Sequence, residues 1–149
     1  MRVGIQTEIK NNEYRVAITP AGVAELTRRG HEVLIQSGAG DGSALSDTDY
    51  KAVGAQIVDT ADEVWSEADL LLKVKEPIEA EYSRMRKDQT LFTYLHLAAS
   101  RPCTDALLKS GTTSIAYETV QTADGALPLL APMSAVSYTH LTLPTTPYV

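Results

Sequence analysis

The chain has 149 residues, 44% hydrophobic and 21% charged, enough for one domain with its own core and little more. A net charge of -6 and a pI near 5.0 argue against nucleic-acid and anionic-membrane partners, which do not attract an acidic surface. No apolar run reaches the roughly 20 residues of a membrane helix, the opening MRVGIQTEIK turns polar too early for a secretory signal, and the one cysteine, Cys103, excludes an internal disulfide.

Small-molecule work in the cytoplasm is the resulting expectation, and the order of elements fits it. Arg2 to Gln6 reads as a first strand. Thr19-Pro20 then opens a helix, as an N-cap followed by proline at a position whose N–H would be unpaired anyway. Val23 and Leu26 share one face of that helix, and Gly30 suits its end. Glu32 to Gln36 is the next strand, and Ser46 to Val53 a short helix with Asp47 and Asp49 in its first turn. Gln56 to Val58 makes a brief strand. Thr60 and Glu63 have capping-box spacing before another helix.

Leu70 to Val74 is a continuous apolar run broken only by Lys73, the pattern of a strand buried on both faces. A helical stretch from Pro77 to about Lys87 follows, then a strand over Thr90 to Leu95. Pro102 to Lys109 reads as a helix stopped by Gly111, and Thr113 to Tyr117 as a last strand. Strands separated by helices imply an α/β fold with a mostly parallel sheet flanked by helices.

In such sheets ligands bind outside the carboxyl ends of the strands. Arg15 lies in the loop after the first strand, Lys75 follows Val74, His96 follows Leu95 and Glu118 follows Tyr117. Arg15 offers a planar fork for a carboxylate, Lys75 a compact cation for a carbonyl oxygen, and His96 a group that titrates near neutrality. Together they suit a small 2-oxo or 2-amino acid. Each has a plainer alternative: Arg15 as a loop cation near Glu8 or Glu13, Lys75 paired with Glu76, His96 as a core histidine between leucines, Glu118 as an ordinary strand end. Gly38-Ala39-Gly40-Asp41-Gly42 is one position short of a G-x-G-x-x-G pattern and reads as a tight turn. Cys103 reads as an inert small residue.

Several motifs in order, MRVGIQTEIKNNEYRVAITPAGVAEL, VLIQSGAGDGSALSDTDYKAVGA, LLLKVKEP, LFTYLHLAA and LPLLAPMS, resemble the alanine dehydrogenase and pyridine nucleotide transhydrogenase N-terminal domain family. The likeness runs over about residues 1 to 136. It implies an incomplete Rossmann-like substrate domain, with NAD bound mainly by a second domain outside this chain. It further implies that Arg15 and Lys75 contact the 2-oxo acid, His96 serves as acid/base, Met133 lies beside the substrate and Ser134 at the cofactor. In some members the position of Glu118 is near a metal. The partners implied are pyruvate and L-alanine, with a homo-oligomeric parent enzyme.

The likeness stops at Ala135-Val136. Residues 137–149 contain four threonines, two prolines and no Lys, Arg, Asp or Glu, and read as a tail that is non-native or disordered. We therefore expect the chain alone to be inactive. Two other readings stay open: the first domain of a transhydrogenase alpha subunit, and a small-acid-binding domain without chemistry. The histidine motif YLHLAA favours the dehydrogenase over the transhydrogenase.

Overall fold

The computed structural model describes residues 1–135; the tail expected over 137–149 lies outside them. Six strands form one parallel sheet in the order β3-β2-β1-β4-β5-β6. They are β1 (Arg2–Ile5), β2 (Glu32–Gln36), β3 (Gln56–Val58), β4 (Leu70–Leu72), β5 (Thr90–Thr93) and β6 (Thr113–Ala116). The helices between them are α1 (Pro20–Arg28), α2 (Asp47–Ala52), α3 (Ala61–Glu67), α4 (Glu79–Tyr82) and α5 (Arg101–Ser110). Winding runs outward from β1 to β3, then returns to pair β4 with β1. This doubly wound order has its switch point between β1 and β4, where strand ends diverge and leave a crevice.

Local signals place most boundaries. The Thr19 hydroxyl accepts the Gly22 N–H at the start of α1. Ser46 and Thr60 each close a reciprocal capping box, with Asp49 and Glu63 respectively. Gly111, at φ 68°, ends α5 in the left-handed conformation glycine tolerates.

Two apolar clusters lie on opposite faces of the sheet. Val23 of α1 and Tyr50 of α2 pack with Val3, Ile5, Val33 and Ile35 on one face. Val64 and Trp65 of α3, with Cys103 and Leu107 of α5, pack with Leu71 and Leu91 on the other. The alternation of strand side chains assigns Gly4 to the second face. A Cβ there would lie 2.6 Å from Ala68 Cβ and 2.8 Å from Val64 Cγ1, so α3 sits directly on the β1 backbone. Cys103 is fully buried in this core, where desolvation pushes its thiol pKa up.

Two expectations need correction. The Leu70–Val74 run is buried only in part: Leu71, Lys73 and Val74 are buried, while Leu70 and Leu72 are half-buried at the margin of the opposite cluster. In the same row Leu72 pairs with Phe92 and Phe92 with Ile115, which is 42% exposed. The helix from Pro77 to Lys87 is only the single turn α4. Beyond it, Met85 is drawn into the core. The Arg86 guanidinium donates to the Ala68 carbonyl, and the Gln89 amide donates to the Trp65 and Ala68 carbonyls. These bonds to the end of α3 outweigh the weak gain from extending so short a helix.

Candidate functional site

A cavity of about 290 Å³ lies at the carboxyl end of the sheet, close to the small end of ligand pockets, roughly 300–1,000 Å³. Its walls come from four strand ends: Arg15, Val16 and Ala17 after β1, Lys73 and Val74 after β4, Tyr94 after β5, and Tyr117 after β6. Leu129 and Met133 close it from the 127–135 segment. The Tyr94 hydroxyl donates to the Leu129 carbonyl, tying that segment down. A larger cavity, about 490 Å³, lies between α4 and α5 with Glu79, Tyr82 and Lys109 in its wall. It is away from the strand ends and shares none of the expected residues.

Arg15 and Met133 both line the first cavity, and Arg15 Nη1 lies 3.1 Å from Met133 Sδ. The pairing of Arg15 with Glu13 that its plainer reading expected is present, on a side chain that also lines the cavity. Its Nε donates to Glu13 Oε1 at 2.8 Å and its Nη2 to Glu13 Oε2 at 2.7 Å. That bond holds the Glu13 carboxyl below the usual carboxylate range and raises the guanidinium further above its own. One edge of the fork is thus taken, and the Nη1 side is turned toward the cavity.

Lys75 is half-buried and sits outside the lining, but its charge also acts on Glu13. It does not pair with Glu76, whose carboxylate is bridged by Lys10. The backbone N–H groups of Val74 and Lys75 instead donate to Glu8, at 2.7 and 3.3 Å. His96 is exposed, so the core-histidine alternative falls; its ring stacks on Tyr94 with centroids 6.5 Å apart. Arg15 and Met133 thus line the cavity, His96 stacks on its Tyr94 wall, and Lys75 follows the lining residue Val74 without itself lining the cavity.

Glu118 accepts the backbone N–H groups of Leu95 and His96. Burial opposes its ionisation, yet these N–H bonds hold the carboxyl below its usual range. Among the described residues no group of three or more His, Cys, Asp or Glu could hold a metal. Ser134 is exposed in the helical turn at 131–135 and donates its N–H to the Leu130 carbonyl.

Sequence reasoning missed a buried network beneath the cavity. Lys73 Nζ lies 2.8 Å from Glu81 Oε1 and 3.2 Å from Glu8 Oε2, with all three side chains at most 2% exposed. The Gln6 amide donates to Glu81 and accepts from Trp65 Nε1. The recurrence of Glu8, Lys10, Glu13 and Arg15 after β1 was the available signal. Tyr117 was missed as a wall; burial drives its pKa upward, and its ring meets Phe92 and Tyr94 edge-on, at 4.3 and 4.9 Å.

Fold and cleft define a doubly wound α/β domain with a small, cation-bearing site at its switch point. The chain belongs to the family described as alanine dehydrogenase/PNT, N-terminal domain, which it matches over residues 4–137. It is 85% identical over 137 residues to an alanine dehydrogenase of Mycolicibacterium smegmatis and 81% identical to one of Mycobacterium tuberculosis. Each match covers 92% of this chain and 37% of the relative, so the chain spans little more than a third of their length. Among solved structures it resembles an L-alanine dehydrogenase, with a TM-score of 0.88 and 49% identity, over 91% of this chain and 37% of that one. A transhydrogenase from Sinorhizobium meliloti is more distant, at a TM-score of 0.74 and 31% identity over 79% of this chain and 34% of that one.

Proposed function

We propose that this chain is the substrate-binding part of an NAD-dependent alanine dehydrogenase, which converts L-alanine, NAD and water to pyruvate, ammonia and NADH. The observation that carries the reading is the cavity at the β1/β4 switch point, with Arg15 and Met133 in its wall and His96 stacked on its Tyr94. It does so in a chain 85% identical to an alanine dehydrogenase. The Nη1 side of Arg15 holds the substrate carboxylate, since Glu13 occupies the other edge. Lys75 supports the carbonyl oxygen and the negative charge that develops on it. His96, exposed at the rim, takes or gives the proton at that oxygen. Met133 and Tyr94 exclude water from the wall.

The glycine turn after β2 does not fit a dinucleotide pyrophosphate. The Asp47 carboxylate accepts the Gly38 N–H at 2.9 Å and the Ser37 hydroxyl at 2.7 Å, so a carboxylate already occupies the anion cradle. Ser134, exposed one residue beyond Met133, is the residue of this chain that would meet the cofactor. The nicotinamide, when bound, supplies the hydride acceptor. A cytoplasmic, homo-oligomeric parent enzyme completes the proposal.

The test is a chimera in which residues 1–135 replace the matching part of the Mycolicibacterium smegmatis relative, assayed for NADH formation with L-alanine. His96→Ala should lower kcat by about 10² to 10⁴-fold, while Arg15→Ala and Lys75→Ala raise KM as well. Undiminished turnover by the His96 variant would show that the proton is carried elsewhere.

A further inference from the structure

We propose that Glu118 is a positioning residue for His96, holding the end of β5 in the backbone turn that presents the imidazole beside Tyr94. The inference rests on the reading of His96 as the proton-carrying group. Its geometry stands apart from that reading.

Strand β5 ends at Thr93, and its ladder to β4 continues only as far as the Tyr94 N–H, which donates to the Val74 carbonyl. The next two N–H groups, of Leu95 and His96, have left the sheet. Both turn to the Glu118 carboxylate, which reaches across from the end of β6. Oε1 accepts from Leu95 at 3.0 Å and from His96 at 2.8 Å; Oε2 is 3.3 Å from the Leu95 nitrogen.

At the same place the backbone adopts a conformation that L residues seldom take. His96 has φ 46° and ψ 43°, in the left-handed region, with no glycine to relieve it. Such a residue persists only where its surroundings over-determine it. Two N–H bonds to one carboxylate, from the residue itself and the one before it, supply that constraint. The turn sends the chain into the 3-10 segment Leu97–Ala99 and leaves the His96 ring exposed, stacked on a cavity-wall tyrosine.

Without the carboxylate, the turn would relax toward the commoner backbone regions and swing the imidazole away from Tyr94. Glu118 then acts on the reaction only through His96. The substrate carboxylate, held by Arg15 on the β1 side, would lose little.

The geometry makes a specific demand. Both stronger bonds fall on Oε1, so one amide oxygen in that position can replace the carboxylate. Glu118→Gln keeps that oxygen and drops the charge. Glu118→Asp keeps the charge and shortens the reach by one methylene. A positioning role predicts that Gln works and Asp fails; a charge or metal role predicts the reverse.

The experiment takes Glu118→Ala, →Gln and →Asp in the 149-residue chain for amide hydrogen exchange, and in the chimeric enzyme for kinetics. In the Ala and Asp variants, exchange at Leu95 and His96 should quicken about tenfold or more as local opening becomes easier. Their kcat should fall about 10 to 100-fold, with KM for pyruvate within about threefold of the parent. Glu118→Gln should restore both readouts to within about threefold. Asp outperforming Gln, or Ala with undiminished kcat and unchanged exchange, would overturn the proposal. Should His96→Ala itself leave kcat intact, the proton role of His96 fails. The exchange data still decide whether Glu118 holds the turn.

Discussion

Replacing Lys73 by Met probes the buried network under the cleft. Its ammonium group sits between two carboxylates, 2.8 Å from Glu81 and 3.2 Å from Glu8, and the three side chains are at most 2% exposed. Methionine fills a similar volume but removes the cation, leaving two like charges buried together. Removing one partner of a buried pair costs about 3–5 kcal/mol, a large part of a domain stability of roughly 5–15 kcal/mol. With a urea slope of about 2 kcal/mol/M, the unfolding midpoint should fall by about 1.5–2.5 M. Adding Glu81→Gln removes one stranded charge and keeps one amide oxygen, which can accept from either the Ile78 N–H or the Gln6 amide. The double variant should therefore recover at least about 1 kcal/mol, a coupling expected of residues in direct contact. A Lys73→Met protein within about 1 kcal/mol of the parent, or a double variant worse than the single, would refute the reasoning.

Gly4→Ala should destabilise the chain by about 1–3 kcal/mol through overpacking against α3, read as a lowered thermal midpoint. An unchanged midpoint would mean that α3 can move off β1. The Glu13 carboxyl is held below its ordinary range by the Arg15 bond, so its contribution to stability is complete above the usual glutamate pKa of about 4.3. That contribution is lost as pH falls through the depressed value. Acid titration of stability should show it in the parent and not in Glu13→Gln. NADH formation from L-alanine by the 149-residue chain alone should be undetectable, because hydride transfer needs reacting atoms held about 3–3.5 Å apart and the glycine turn here does not cradle a dinucleotide.

Local chemistry made much of the fold legible. The caps at Thr19 and Thr60 and the glycine stop at Gly111 depend on atoms within a few residues, and each is where its motif points. The strand-end rule located the cleft, because a parallel sheet puts every carboxyl end on one side. What stayed hidden depends on distant partners. Lys73 shares the face of Leu71 by strand alternation, yet only Glu8, 65 residues earlier, and Glu81 across the core make its burial tolerable. The left-handed turn at His96 is set by a carboxylate 22 residues later. The Pro77–Lys87 stretch has helical composition, but its course is decided by carbonyls at the end of α3.

The central claim is that Arg15, Lys75 and His96 serve one small acid. Titrating pyruvate into the ¹⁵N-labelled 149-residue chain while recording amide and imidazole resonances tests it most directly. Saturable shifts should appear at Arg15, Lys75, Tyr94 and His96 with a Kd near the millimolar range, about 4 kcal/mol of binding, and Arg15→Met should abolish them. Shifts confined to the α4–α5 cavity, or saturable binding that survives Arg15→Met, would contradict the account.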